Sequence, residues 1–154
     1  MSGPEIYFLK HPTPEALRAA LAPLFQVTPA EVFVYFDAEE VLGSINRAAD
    51  AALEAAYYAS PVRVLVRANK PDSGPIAGWL RVERIDLDAR MLARALARAL
   101  GEPFIYPDPI PDPRDHPIAE AAQIEVSADG TERKVWIYEF GSPDGDRTEL
   151  TDRD

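Results

Sequence analysis

Short runs of β-branched and aromatic residues alternate along this chain with three stretches whose apolar residues recur at helical spacing, and no other feature limits the fold as strongly. The strand-like runs are residues 5–9, 32–36, 62–68, 76–85 and 104–106, and the helical stretches are residues 14–25, 37–59 and 86–100. A last hairpin is predicted around Asp129-Gly130, from residues 123–127 and 133–140. The alternation predicts a single α+β domain with a mixed sheet and about three helices, in the order β-α-β-α-β-β-α-β-β-β.

Local signals mark where the helices begin and end. Thr13-Pro14 supplies an N-cap and a proline at the first helical position, and Gly101 supplies a C-terminal stop for the third helix. In the second helix, Val41, Leu42, Ile45, Ala49, Ala52, Leu53 and Ala56 form the predicted apolar stripe. Residues 141–154 are polar and acidic, so we expect residues 1–140 to form the domain and the remainder to be a flexible tail.

The hairpin of residues 62–68 and 76–85 is expected to have one apolar face and one arginine-bearing face. Since strand side chains alternate, Val62, Val64, Val66, Ile76, Leu80 and Val82 would share the buried face. The opposite face would present Arg63, Leu65, Arg67, Trp79, Arg81 and Glu83.

The chain is acidic overall but has a basic central block. Its net charge is −10, and half of its 16 basic residues fall between Arg63 and Arg98. Eight bases and four acids there give a local net charge of +4, whereas the flanks carry −5 and −9. Such a block can bind an anion or can neutralise the chain's own carboxylates. The acidity argues against nucleic acid as a partner, because phosphate would be repelled.

The chain contains no cysteine, which excludes disulfides, zinc–thiolate sites and thiol nucleophiles. No apolar run approaches the roughly 20 residues of a membrane helix, so the sequence predicts a soluble, cytoplasmic protein that does not engage a membrane. Phosphate-binding loops, nucleophile elbows and histidine metal motifs are also missing. We therefore expect no cofactor, no metal and no catalytic residue, and we lean against an enzyme. His11 and His116 are read as loop residues.

Two groups of charged residues are candidates for binding. The anion-binding candidates are Arg63, Arg67, Trp79, Arg81, Arg90 and Arg94. The alternative is that Glu83, Glu125, Glu132 or Glu139 neutralises these arginines. The candidates for contacting a basic partner are Asp37, Glu39, Glu40, Asp108, Asp112 and Asp115. Acids in a first helical turn also cap the backbone, and acids in a proline-rich loop can simply be solvated.

The first functional hypothesis is a small non-enzymatic protein that engages a basic protein partner, in the manner of an immunity protein or an adaptor module. The alternative is an anion- or nucleotide-binding domain that uses the arginine-rich hairpin and helix face. An enzyme built on the junction at residues 37–40 is a third option. Edge strands could also pair two copies as a homodimer.

Overall fold

A computed structural model describes residues 3–36, 51–68, 74–83, 87–108, 119–140 and 147–152. Within this part of the chain lie three α-helices, α1 (Pro14–Phe25), α2 (Ala51–Ala59) and α3 (Ala89–Leu100). The strands are β1 (Glu5–Phe8), β2 (Val32–Phe36), β3 (Val62–Ala68), β4 (Gly78–Val82), β5 (Phe104–Pro107), β6 (Ala119–Val126), β7 (Glu132–Phe140) and β8 (Arg147–Asp152). The predicted α+β fold and element order are confirmed, with β8 added at the end.

All eight strands form one sheet, in the order β2-β3-β4-β1-β5-β6-β7-β8. Among the strands that the structure describes, only β2 and β3 pair in parallel, because α2 lies on the connection between them and returns the chain to the same end of the sheet. Every other pairing is antiparallel. The first strand lies in the middle of the sheet, between β4 and β5, and the edges of the sheet are β2 and β8.

Caps hold the helix ends, and those at Thr13 and Gly101 are the ones that the sequence predicts. Thr13 Oγ1 accepts a hydrogen bond of 3.1 Å from the amide of Ala16 at the start of α1. Asp88 accepts one of 2.8 Å from the amide of Arg90 at the start of α3. Gly101 then ends α3 in the left-handed conformation, with φ of 68°.

One face of the sheet, called here the two-helix face, is covered by α1 and α3. Leu17 and Leu21 of α1 and Leu92 and Leu96 of α3 are fully buried in one apolar cluster with this face. The strand residues of that cluster are Ile6, Phe8, Val32, Val34, Val62, Val64, Val66, Leu80, Val82, Phe104, Tyr106 and Val126. Burial on this scale is the main stabilising term of the fold.

The opposite face, called here the arginine face, is contacted by α2 at the β2–β3 end. Tyr57 of α2 packs against Tyr35 and Leu65 in a separate buried cluster, which Phe33 and Trp79 complete. The register pairs Leu65 with Arg81 and Arg67 with Trp79. The predicted separation of the hairpin into a valine face and an arginine face is thus confirmed for β3 and β4.

Two details of the expected pattern differ in the structure. Ile76 precedes β4 and packs with Ile105 and Val135 in a third cluster, away from the valines of β3, because the strand begins only at Gly78. In α2, the predicted stripe residue Ala56 is exposed, and Tyr57 is the buried contact because its ring reaches Tyr35. The predicted start of the second helix, residues 37–50, lies outside the described residues.

The predicted hairpin at Asp129-Gly130 forms, but its loop has three residues, whereas an Asp-Gly dipeptide favours a two-residue turn. The amide of Gly130 donates to the carbonyl of Ser127 at 2.9 Å, and the amide of Ser127 donates to the carbonyl of Thr131 at 2.9 Å. Gly130 has φ of 88°, the left-handed position that closes a three-residue loop.

Part of the segment expected to be a tail is a strand. Arg147–Asp152 pairs antiparallel with β7 over six residue pairs, from Val135↔Asp152 to Phe140↔Arg147. The physical reason is that threonine and leucine at alternating positions suit a strand, and the unpaired edge of β7 offers a row of hydrogen-bonding groups. The expectation of a flexible tail is corrected for these residues.

Candidate functional site

The six residues predicted to form the anion site are divided between opposite faces of the sheet. Arg63, Arg67, Trp79 and Arg81 belong to the arginine face of β3 and β4. Arg90 and Arg94 belong to α3, which packs on the two-helix face. A single ligand cannot contact both groups, because the sheet separates them.

Arg90 and Arg94 both bind Glu132 at the start of β7. Arg90 Nε lies 3.0 Å from Glu132 Oε1 and Arg94 Nη1 lies 3.4 Å from the same oxygen. The hydroxyl of Tyr106 donates to Glu132 Oε2 at 3.2 Å. Burial, followed by the Glu132 carboxylate, raises the pKa of Tyr106 to about 12. One carboxylate thus accepts three donors, and the two arginines tie α3 to the sheet.

Arg81 is neutralised by a carboxylate just beyond the end of its own strand. Its Nε lies 3.1 Å from Glu83 Oε1, two residues further along, and its guanidinium is 5.9 Å from the centre of the Trp79 ring. The side chain of Glu83 is only 12% exposed, so this pair is better shielded from water than a surface pair. The arrangement combines neutralisation by Glu83, which the sequence left open, with stacking on Trp79.

Arg63 is held differently, by aromatic rings. Its guanidinium carbon is 5.2 Å from the centre of the Tyr57 ring and 5.9 Å from that of Tyr58. Its Nε is buried and has no hydrogen-bond partner. None of the ion pairs within the described ranges includes Arg63. A guanidinium with an unused buried donor is the feature of this face that structural neutralisation does not explain.

The rings around Arg63 form a continuous aromatic cluster. Tyr57 lies 5.0 Å from Tyr35, 6.2 Å from Phe33 and 5.2 Å from Tyr58, measured between ring centres. Burial raises the pKa of Tyr57 and the carboxylate of Glu83 adds to the rise, whereas Arg63 opposes it. Tyr58 is 63% exposed, an unusual exposure for a large aromatic side chain. The cluster therefore has a buried base and an exposed rim.

Sequence reasoning missed Tyr57 and Tyr58. Both lie in the last turns of the second helix, where the predicted buried stripe consists of alanine and leucine. The available signal was the aromatic pair itself, which follows a long alanine-rich stretch and precedes Arg63 by only a few residues. Proximity in sequence to an arginine could have raised the expectation of a cation–π contact.

Most of the candidate residues for a basic partner lie outside the described residues. These are Asp37, Glu39, Glu40, Asp112 and Asp115. Asp108 directly follows β5 and is half-buried. His11 stacks edge-on against Phe8 at 5.3 Å, and its Nδ1 donates to the carbonyl of Pro12 at 3.0 Å. His116 also lies outside the described ranges.

Two further ion pairs lie among the described residues. Arg133 Nε lies 2.8 Å from Glu125 Oε1 across β6 and β7, and Lys10 Nζ lies 3.2 Å from Glu102 Oε1. Across the described parts of the chain, no cluster of three or more histidine or acidic side chains is arranged to hold a metal ion. In the same residues, no helix is long and apolar enough to span a membrane.

No protein-family model, no curated protein and no solved structure matches this chain.

Proposed function

We propose that this chain is a small, acidic, non-enzymatic binding protein that uses its carboxylates to engage a basic surface on a partner protein, as an immunity protein or an adaptor module does. The candidate contact residues are Asp37, Glu39, Glu40, Asp108, Asp112 and Asp115. Excess negative charge steers the encounter with a positively charged surface and raises the association rate.

The observation that supports this proposal is the internal use of the basic side chains. Four carboxylates, those of Glu83, Glu102, Glu125 and Glu132, engage five of them. These five are Lys10, Arg81, Arg90, Arg94 and Arg133. Three of the eight bases of the central block, Arg81, Arg90 and Arg94, are thus engaged by carboxylates within the fold. The net charge of −10 is then carried by the other acids of the chain.

The ion pairs of Glu132 also argue against the part of the alternative function that uses α3, namely anion or nucleotide binding by its arginines. Arg90 and Arg94 would have to leave Glu132 before they could bind a nucleotide phosphate, and Tyr106 would lose its acceptor. Breaking several charge-assisted hydrogen bonds reduces the net gain from a ligand. An anion-binding role therefore rests on the arginine face alone.

The test is a pull-down with the purified protein as bait in lysate of its source organism, at low and high salt, with mass spectrometry of the retained proteins. We expect a basic protein in stoichiometric amount at low salt and its loss at high salt, since screening weakens exposed charge pairs. The variant Asp37→Asn/Glu39→Gln/Glu40→Gln should lose that protein.

A matched variant separates a defined contact surface from overall charge. Glu15→Gln/Glu31→Gln/Asp129→Asn also removes three negative charges, at exposed positions outside residues 37–40. Both variants have a net charge of −10 + 3 = −7. We expect the matched variant to retain the partner. Absence of any basic protein at low salt, or equal retention by the two variants, would contradict the proposal.

A further inference from the structure

We propose that the cluster of Tyr57, Tyr58 and Arg63 is a binding site for a small molecule that carries an oxyanion on a planar aromatic ring. The inference does not depend on the proposed partner binding, because the residues and the ligand differ. Its basis is the juxtaposition of a buried, unpartnered guanidinium nitrogen with an exposed aromatic rim.

The unpartnered nitrogen points to the kind of group that is missing. Arg63 Nε is a charged donor that is removed from water and has no acceptor. Nearly all buried donors in folded proteins are hydrogen-bonded, because an unmade bond costs more than a made bond contributes. A carboxylate or phosphate has two oxygens spaced to accept two parallel hydrogen bonds from one edge of a guanidinium. It would therefore accept from Nε and a neighbouring nitrogen together.

Neighbouring charges leave Arg63 available for this role. The amide of Glu83, the residue that follows β4, donates to the carbonyl of Arg63 at 2.9 Å. The carboxylate of Glu83 is engaged by Arg81. Arg63, Arg67 and Arg81 on this face are accompanied by Glu83 and by Glu5 of β1, which pairs with Arg81 in the register. Three positive and two negative side chains give these five residues a net charge of +1.

The exposed ring supplies both access and selectivity. Tyr58 is 63% exposed in the last turns of α2, and exposed side chains change rotamer within nanoseconds. Its movement can open a path to Nε while Tyr57, which is 6% exposed, stays fixed in the core. A planar ring attached to the oxyanion would then stack on Tyr58 and replace water at its surface. These two contacts favour an aromatic oxyanion over a simple one.

The experiment follows the side-chain Nε–H signal of Arg63 by NMR during titration with sodium benzoate, with chloride exchanged to keep the ionic strength constant. The signal is assigned by its loss in Arg63→Lys. We expect a saturable shift with a dissociation constant on the order of 1 mM. Sodium acetate, which has the carboxylate without the ring, should bind at least about fivefold more weakly.

Three variants complete the test. We expect Arg63→Lys to weaken benzoate binding at least about tenfold, because lysine keeps the charge and lacks the bidentate edge. Tyr58→Ala should weaken it about fivefold. Arg98→Lys, an exposed position on α3, should bind as the unaltered protein does.

Two results would overturn the proposal. The first is the absence of a saturable shift at Arg63 Nε in the unaltered protein, which needs no variant to fold. The second is equal binding by Arg63→Lys and the unaltered protein, with both giving dispersed amide spectra. Neither result bears on the capture of a basic partner, so failure here and failure of the proposed function are distinguishable.

Discussion

The contacts that an arginine of this protein makes depend on which carboxylate or aromatic ring lies within reach of its side chain. Arg94 and Arg63 both lie in the basic central block of the sequence. Arg94 pairs with Glu132 across the helix–sheet interface. Arg63 instead contacts two tyrosine rings, and its Nε has no hydrogen-bond acceptor. Charge clustering in sequence therefore does not imply a shared site.

Tyr106 provides a pH-dependent test of the Glu132 network. Its folded-state pKa of about 12 lies above the ordinary value of 10, so the folded protein holds the phenol proton more tightly than the unfolded chain does. The corresponding stability is complete below about pH 10 and is lost as the pH rises towards about pH 12. The slope is at most about 1.4 kcal/mol per pH unit. Urea unfolding at several pH values measures it.

The variant Tyr106→Phe is the control for this slope, because other groups also titrate at high pH. The variant retains the ring in the core but has no proton to lose. We expect the stability difference between the two proteins to shrink above about pH 10 in favour of the variant. Parallel stability curves for the two proteins across this range would show that Tyr106 is not perturbed.

Among the elements, β8 changes the architecture most relative to the sequence-based expectation. An edge strand contributes one row of backbone hydrogen bonds and covers the edge of the strand before it. Here β8 covers β7, which carries the buried residues Val135 and Ile137 and the network residue Glu132. Loss of β8 would expose β7 as a new edge.

Truncation after Phe140 distinguishes a strand from a tail. We expect removal of residues 141–154 to lower the free energy of unfolding by at least about 2 kcal/mol, since the six residue pairs between β7 and β8 are lost. Urea unfolding followed by circular dichroism measures the change. Deletion of residues 153–154 alone serves as the control and should leave the stability unchanged. Full stability of the protein truncated after Phe140 would mean that β8 contributes nothing to the fold.

The parts of the fold that the sequence predicted are those with local causes. Thr13 acts on an amide three residues away, Gly101 ends the helix that precedes it, and Gly130 closes a turn between adjacent strands, so such signals can be read from a short window. The central position of β1 has no such signal. It arises from pairing with β4 and β5, which lie about seventy and a hundred residues further along the chain.

In the candidate site, too, the sequence predicted the features that have local causes and not those that depend on long-range contacts. The alternation of β3 and β4 correctly placed Arg63, Arg67, Trp79 and Arg81 on one face, because side-chain alternation is a local property. The separation of Arg90 from that face depends on which side of the sheet α3 covers, and the contact with Glu132 joins positions 42 residues apart. Neither could follow from spacing alone.

At the scale of the whole molecule, the acidic charge that is proposed to recruit a partner also opposes folding. With 26 acidic and 16 basic residues, the folded chain concentrates a net charge of −10 in a small volume. The ion pairs offset little of this, since exposed pairs such as Lys10 with Glu102 contribute about 0–1 kcal/mol. Like-charge repulsion is therefore expected to dominate the salt dependence of stability.

We therefore expect the melting temperature to rise by a few degrees when NaCl is increased from about 10 mM to about 200 mM, because the screening length falls from about 30 Å to below about 10 Å. Differential scanning calorimetry measures the shift. The variant Glu15→Gln/Glu31→Gln/Asp129→Asn has a net charge of −10 + 3 = −7 and should show a smaller rise. A melting temperature that falls with salt would mean that the ion pairs at Glu83, Glu125 and Glu132 outweigh repulsion among the remaining acids. The four basic side chains that these carboxylates engage would then contribute more to stability than their exposure suggests.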